Sequence, residues 1–170
     1  RNEYTAFGTA THNSLKWLFD EMKKNGKEFP PVNAFLDEFK KQLGKQRDAF
    51  NETEFKNRLA YGEQTLPDYY KKYVDNWNKN AMTEFTINNI EIDGVPCNGN
   101  LDKIEFLSPN EVNVIDYKTG KPENGIKKVS PPSEKESNGG DYWRQIVFYK
   151  ILLDNFKREN WNMLSGEIDF

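Results

Sequence analysis

Three side chains in the middle of the sequence are of the right types and spacing to do chemistry: Asp102, Asp116 and Lys118. Asp116 and Lys118 end a Val- and Ile-rich run, Glu111 to Lys118, that reads as a strand. Side chains two apart on a strand share a face, so the carboxylate and the ammonium point the same way. Val112 and Val114 lie on that face, and Ile115 and Tyr117 on the other. Charges among apolar residues are costly to bury unless they are paired or bind an ion. Asp102 stands on the preceding strand and reaches the same spot if the two strands pair around Ser108-Pro109-Asn110. Two carboxylates and a lysine suit phosphodiester hydrolysis. Mg²⁺ prefers carboxylate and water oxygens. Held by Asp102 and Asp116, it would polarise a phosphate and acidify a bound water. Lys118 would orient that water or stabilise developing charge. The plainer account is an ion pair on a sheet, because Asp-x-Lys tripeptides are common. Gly99-x-x-Asp102, at hairpin distance upstream, shifts the weight toward chemistry.

The elements that must position these groups follow from pattern. Residues 9–24 read as a helix, with Leu15, Leu18, Phe19 and Met22 at helical spacing and Gly26 as a stop. A second helix is expected from Pro31 to Leu43 and a short third over 52–61. A fourth is marked by Leu66, Tyr70, Tyr73 and Trp77. Residues 83–92 and 95–106 alternate as strands about an Asp93-Gly94 hairpin turn, and Glu111 to Lys118 completes an antiparallel meander. Residues 119–140 read as a long, mobile polar loop. A helix from Asp141, as its N-cap, to about Phe156 follows, with Trp143, Ile146, Phe148 and Leu152 as core. Met163 to Phe170 reads as a last strand. The order predicts an α/β (α+β) fold, a mixed central sheet with an antiparallel meander flanked by helices.

Composition sets outer bounds. At 170 residues the chain is long enough for one domain with a core, and 14% aromatic residues argue against disorder. No apolar run has the length of a membrane span, and residues 1–8 lack the apolar segment of a signal peptide, so no membrane partner and a cytoplasmic setting are expected. One cysteine, Cys97, forbids an internal disulfide and a Cys-based cluster. The net charge of −3 is unusual for a nucleic-acid binder, although divalent ions at an acidic site reverse the local sign. The chain starts without Met and stops at Phe170 inside an expected strand, so residues 1–170 are read as a single domain cut from a longer protein.

Four motifs in order, Gly8-x-x-x-His12, Gly99-x-x-Asp102, Ile115-Asp116-Tyr117-Lys118-Thr119-Gly120 and Gln145-x-x-x-Tyr149, resemble the RecB-like nucleases of the PD-(D/E)xK superfamily. The resemblance implies a restriction-endonuclease-like core. It also implies a Mg²⁺- or Mn²⁺-dependent deoxyribonuclease, an exonuclease on single- or double-stranded DNA ends. Its partner would be a superfamily 1 helicase, in the same chain or in another subunit, in DNA repair or recombination. By that resemblance His12, Asp102, Asp116 and the Tyr117 carbonyl are metal ligands, Lys118 is the catalytic lysine, and Gln145 and Tyr149 line the active site. Glu84 aligns with a glutamate that precedes the Gly-x-x-Asp strand in many relatives. Some relatives carry an iron–sulfur cluster on four cysteines; Cys97 alone cannot hold one, so the cluster-free branch is the nearer analogy.

Read by position alone, several of these residues have plainer roles. His12 lies on the apolar stripe of its helix, where a hydrogen-bonded core histidine is the default. Gln145 and Tyr149 are one turn apart on one helix face, as in any half-buried helix. Lys121, Lys127 and Lys128 contact phosphate or are simply solvated. The alternative function is a catalytically idle DNA-binding or scaffolding module of the same fold.

Overall fold

A computed structural model describes residues 2–170. The chain divides into two compact units, Arg1–Lys79 and Asn80–Phe170.

The first unit is helical. Helix α1 (Glu3–Lys24) starts earlier than the sequence suggests because the Asn2 side chain caps it, accepting from the Thr5 amide at 2.9 Å. Phe7, Ala10, Leu15, Leu18, Phe19 and Met22 form its buried stripe. Helix α2 (Val32–Lys45) buries Phe35, Phe39 and Leu43. The expected third and fourth helices are one helix, α3 (Glu52–Tyr73), opened by a capping box between Asn51 and Glu54. Gly62 and Pro67 look like breaks in the sequence, yet neither stops it. Gly62 is a point of close approach: a Cβ there would come within 2.3 Å of the Phe39 ring. Leu66, one turn on, is buried beside it, so packing carries the helix past Pro67 and the hydrogen bond it lacks. Phe19, Phe29 and Trp77 contact one another edge-on or tilted, and the Tyr70 hydroxyl donates to the Pro30 carbonyl at 2.7 Å.

The second unit is a four-stranded mixed sheet in the order β1-β2-β3-β4, built from β1 (Ala81–Ile92), β2 (Val95–Phe106), β3 (Glu111–Tyr117) and β4 (Asn162–Asp169). Asp93 and Gly94 both have positive φ, 50° and 79°, and Ile92 pairs with Val95, so this hairpin closes with a two-residue primed turn. β2 and β3 are antiparallel, with Ile104 opposite Val114. β4 returns parallel to β3 after helix α5 (Asp141–Asn155). β3 is therefore an inner strand, and Val112 to Tyr117 are all buried. α5 packs Tyr149, Leu152 and Leu153 against Ile87, Leu101, Ile104, Val112, Val114 and Met163, and each large aliphatic side chain so buried contributes about 1.5–3 kcal/mol. This is the α+β arrangement with a mixed sheet expected from the order of elements, and it fits the restriction-endonuclease-like core that the resemblance implies.

Three details of this unit differ from expectation. The 119–140 stretch is not irregular throughout: it contains the short helix α4 (Pro122–Gly125) and a 3-10 turn over Ile126–Val129. The N-cap of α5 is Gly140 rather than Asp141, because the chain there runs so close to Lys128 that a Cβ would lie 2.2 Å from its carbonyl oxygen. Phe148, expected in the core, is 36% exposed; it shares a helix face with Leu152 one turn on and reaches Gly99 at the rim of the core. Among the described residues, no helix is long and apolar enough to cross a membrane.

Candidate active site

The site lies where the β2–β3 pairing ends, beside the first three turns of α5. Carried one residue beyond Lys103–Ile115, the antiparallel register places Asp102 across from Asp116. The Asp102 side chain takes over from the ladder at that point: its Oδ2 accepts the Tyr117 amide at 2.8 Å. This fixes the Gly-x-x-Asp strand to the backbone between Asp116 and Lys118.

Asp116 is the most enclosed of these groups, only 2% exposed. Three donors surround it. The Tyr149 hydroxyl donates to Oδ1 at 2.6 Å, and the Gln145 amide donates to the same oxygen at 2.8 Å and to the Tyr149 hydroxyl at 2.7 Å. The Lys118 ammonium lies 2.5 Å from Oδ2. Lys118 itself is partly open to solvent. Burial first, and then the Asp116 carboxylate, hold the Tyr149 phenol far above its ordinary pKa, so the hydroxyl remains a donor.

The opposite side of the strands carries a second polar set. Lys103 is buried, 3.1 Å from Glu105 and stacked 5.3 Å above the Tyr117 ring. Burial, followed by Asp169 and Glu105, raises the Tyr117 phenol well above its usual value. Its side chain thus belongs to this buried network, and only its backbone is available to the role that the sequence suggests.

Glu84 was the residue least visible in the sequence. It has φ 53°, a left-handed conformation that costs a non-glycine residue about 1–3 kcal/mol, and the β1–β2 pairing skips it. Asn100 holds its carboxylate at 2.5 Å. A Glu84 carboxylate oxygen comes within 4.8 Å of one from Asp102. Two half-buried carboxylates that close repel each other unless a cation or a proton lies between them. The donor set is hard oxygen, which fits a divalent ion such as Mg²⁺ or Mn²⁺. Apart from the family resemblance, which points to Glu84, the local signal was the strand alternation around Phe85 and Ile87, and it does not reveal a left-handed backbone at one residue. His12 stands on α1 in the helical unit, half-buried beside Thr11 and Ser14.

Compared with known protein families, the sequence matches the PD-(D/E)XK nuclease superfamily over residues 1–164. The chain belongs to that superfamily. In this chain Asp116 stands near the end of β3 with Lys118 just beyond, and Asp102 stands on β2. No curated protein and no solved structure matches the chain.

Proposed function

We propose that this PD-(D/E)XK domain is a Mg²⁺- or Mn²⁺-dependent deoxyribonuclease that hydrolyses phosphodiester bonds at Asp102, Asp116 and Lys118. The observation that carries the reading is the enclosed Asp116 carboxylate with the partly exposed Lys118 ammonium 2.5 Å away. An ordinary surface ion pair does not bury its acid and leave its base half open.

Asp102, Asp116 and Glu84 would supply carboxylate oxygens to the ion, and the sequence resemblance adds His12 and the Tyr117 carbonyl. Bound there, the ion supplies Lewis acidity toward the phosphate and a more acidic water. The chain's own groups do the rest. Tyr149 and Gln145 fix the Asp116 carboxylate in one rotamer through Oδ1. Asp102 fixes the strand end through the Tyr117 amide. Lys118 places a positive charge where a phosphoryl group would develop negative charge. The four motifs shared with RecB-like nucleases support a finer reading: an exonuclease acting on DNA ends beside a superfamily 1 helicase, in repair or recombination.

The test is degradation of linear single- and double-stranded DNA with Mg²⁺ or Mn²⁺, against Asp116→Ala and Lys118→Ala. Both variants should lose activity; full activity in either removes this mechanism. A chain that binds DNA and Mn²⁺ yet cuts nothing would instead be an idle module.

A further inference from the structure

The ring of Tyr142, on the first turn of α5, has two ammonium groups on it. Lys118 Nζ lies 5.1 Å and Lys128 Nζ 5.2 Å from its centroid. Gln145, which holds Asp116, is three positions further along the helix and so on the same face. The ring is therefore one side chain away from the proposed reaction centre, through Lys118.

Lys128 is also held in place. The Gly140 amide donates to the Ser130 carbonyl at 2.9 Å, and Gly140 leaves no room for a Cβ against the Lys128 backbone. The Phe170 ring packs beside Tyr142 at 6.1 Å. Lys118 has Asp116 as its ion-pair partner, whereas among the described residues Lys128 has no acidic partner. Two like charges on one ring repel each other, and an anion between them relieves that repulsion. A flat ring flanked by cations matches a nucleic-acid strand, in which flat bases alternate with phosphates.

We infer that Tyr142 and Lys128 form a subsite for single-stranded DNA next to the scissile phosphate, with a base stacked on Tyr142 and the neighbouring phosphate on Lys128. The inference rests on the nuclease reading of Asp116 and Lys118. It adds that the strand entering the site is unpaired, because a base inside a duplex has no face to offer the ring.

The test is binding of a fluorescein-labelled oligothymidylate to the full chain by anisotropy across a salt series, with a duplex of equal length beside it. Tyr142→Leu should weaken single-strand binding about tenfold and leave duplex binding unchanged, and Tyr142→Phe should bind as the wild type does. Lys128→Gln, a surface change that spares the fold, should lower the salt slope by about 0.7. Unchanged single-strand binding by Tyr142→Leu, or equal losses on single strand and duplex, overturns the inference. If the wild type still cuts DNA in Mn²⁺ in that case, the nuclease reading survives; a wild type that neither binds nor cuts DNA overturns both.

Discussion

The Tyr149 hydroxyl donates to Oδ1 of Asp116 at 2.6 Å, joining a helix to a strand end 33 positions away in the sequence. The bond orients a buried carboxylate, and the Gln145 amide closes the triangle. Tyr149→Phe removes the hydroxyl and keeps the packing of the ring. It should cost about 1 kcal/mol of stability and roughly 10- to 100-fold in activity, as is usual for groups that orient a ligand or catalyst. Thermal melts with steady-state cleavage rates check this. A Phe variant as active as the wild type would show that Gln145 alone orients Asp116.

Lys118 and Asp116 should behave differently when truncated, because their burial differs. Lys118→Ala leaves an enclosed carboxylate with only neutral donors, so it should destabilise the fold and lower the cleavage rate by about 10²–10³-fold. Asp116→Asn keeps the shape and can still accept from Tyr149. It should melt near the wild type while losing activity to a similar degree. Rates compared at matched folded fraction separate the two effects. If Asp116→Asn retains the wild-type rate, the carboxylate has no chemical role.

The motif glycine Gly99 makes a packing prediction. A Cβ at this position would come 2.3 Å from Cδ1 of Leu152, a residue with no solvent exposure and little room to give way. Gly99→Ala should destabilise by about 1–3 kcal/mol. Adding Leu152→Ala opens the space, so the double variant should be more stable than the sum of the single losses by about 0.5–3 kcal/mol. Strict additivity in denaturant melts would mean that the glycine is needed for some reason other than close approach of α5.

That glycine also marks how far the sequence could be read. Asp93-Gly94, the alternation on either side of it and the apolar run of β3 follow from local rules, so the meander and the shared face of Asp116 and Lys118 were accessible. Gln145-x-x-x-Tyr149 was accessible as a spacing, but not its target, since nothing local says that α5 returns over the end of β3. The failures have the same origin. Gly62 and Pro67 carry helix-breaking propensity, and packing against Phe39 overrides it. Asp141 is a better N-cap by type than Gly140, but the approach of the Lys128 backbone admits only a glycine there. Glu84 depends on a left-handed φ at one strand residue, and composition does not encode that.

Tyr70 gives a prediction about pH in the helical unit. Its hydroxyl donates to the Pro30 carbonyl, and burial, with a smaller contribution from Asp75, raises its pKa above the ordinary value of 10.0. The folded state therefore holds the phenolic proton more tightly than the unfolded state does. Its contribution is complete below pH 10 and is lost as the pH rises from there through the folded pKa. Tyr70→Phe should lower the melting temperature at neutral pH by the value of one hydrogen bond, about 0.5–1.5 kcal/mol, and should lose less on going from pH 9 to 11. Parallel pH profiles of the two proteins would show that Tyr70 is as solvated in the folded chain as in the unfolded one.

Glu84 and Asp102 make a prediction whose sign depends on the metal. Their carboxylate oxygens come within 4.8 Å of each other, and without a cation that proximity is a repulsion. In chelator, Glu84→Gln should therefore raise the melting temperature. With Mn²⁺ present the order should reverse, because binding to the folded chain adds stability in proportion to the logarithm of saturation, and the variant binds more weakly. Asp102→Asn is the companion variant: its amide oxygen can still accept the Tyr117 amide, so the strand end stays in place while a charge is removed. Calorimetric titration should show Mn²⁺ affinity reduced about 10- to 100-fold in each. If Glu84→Gln lowers the melting temperature equally with and without metal, the two carboxylates serve the fold and not an ion.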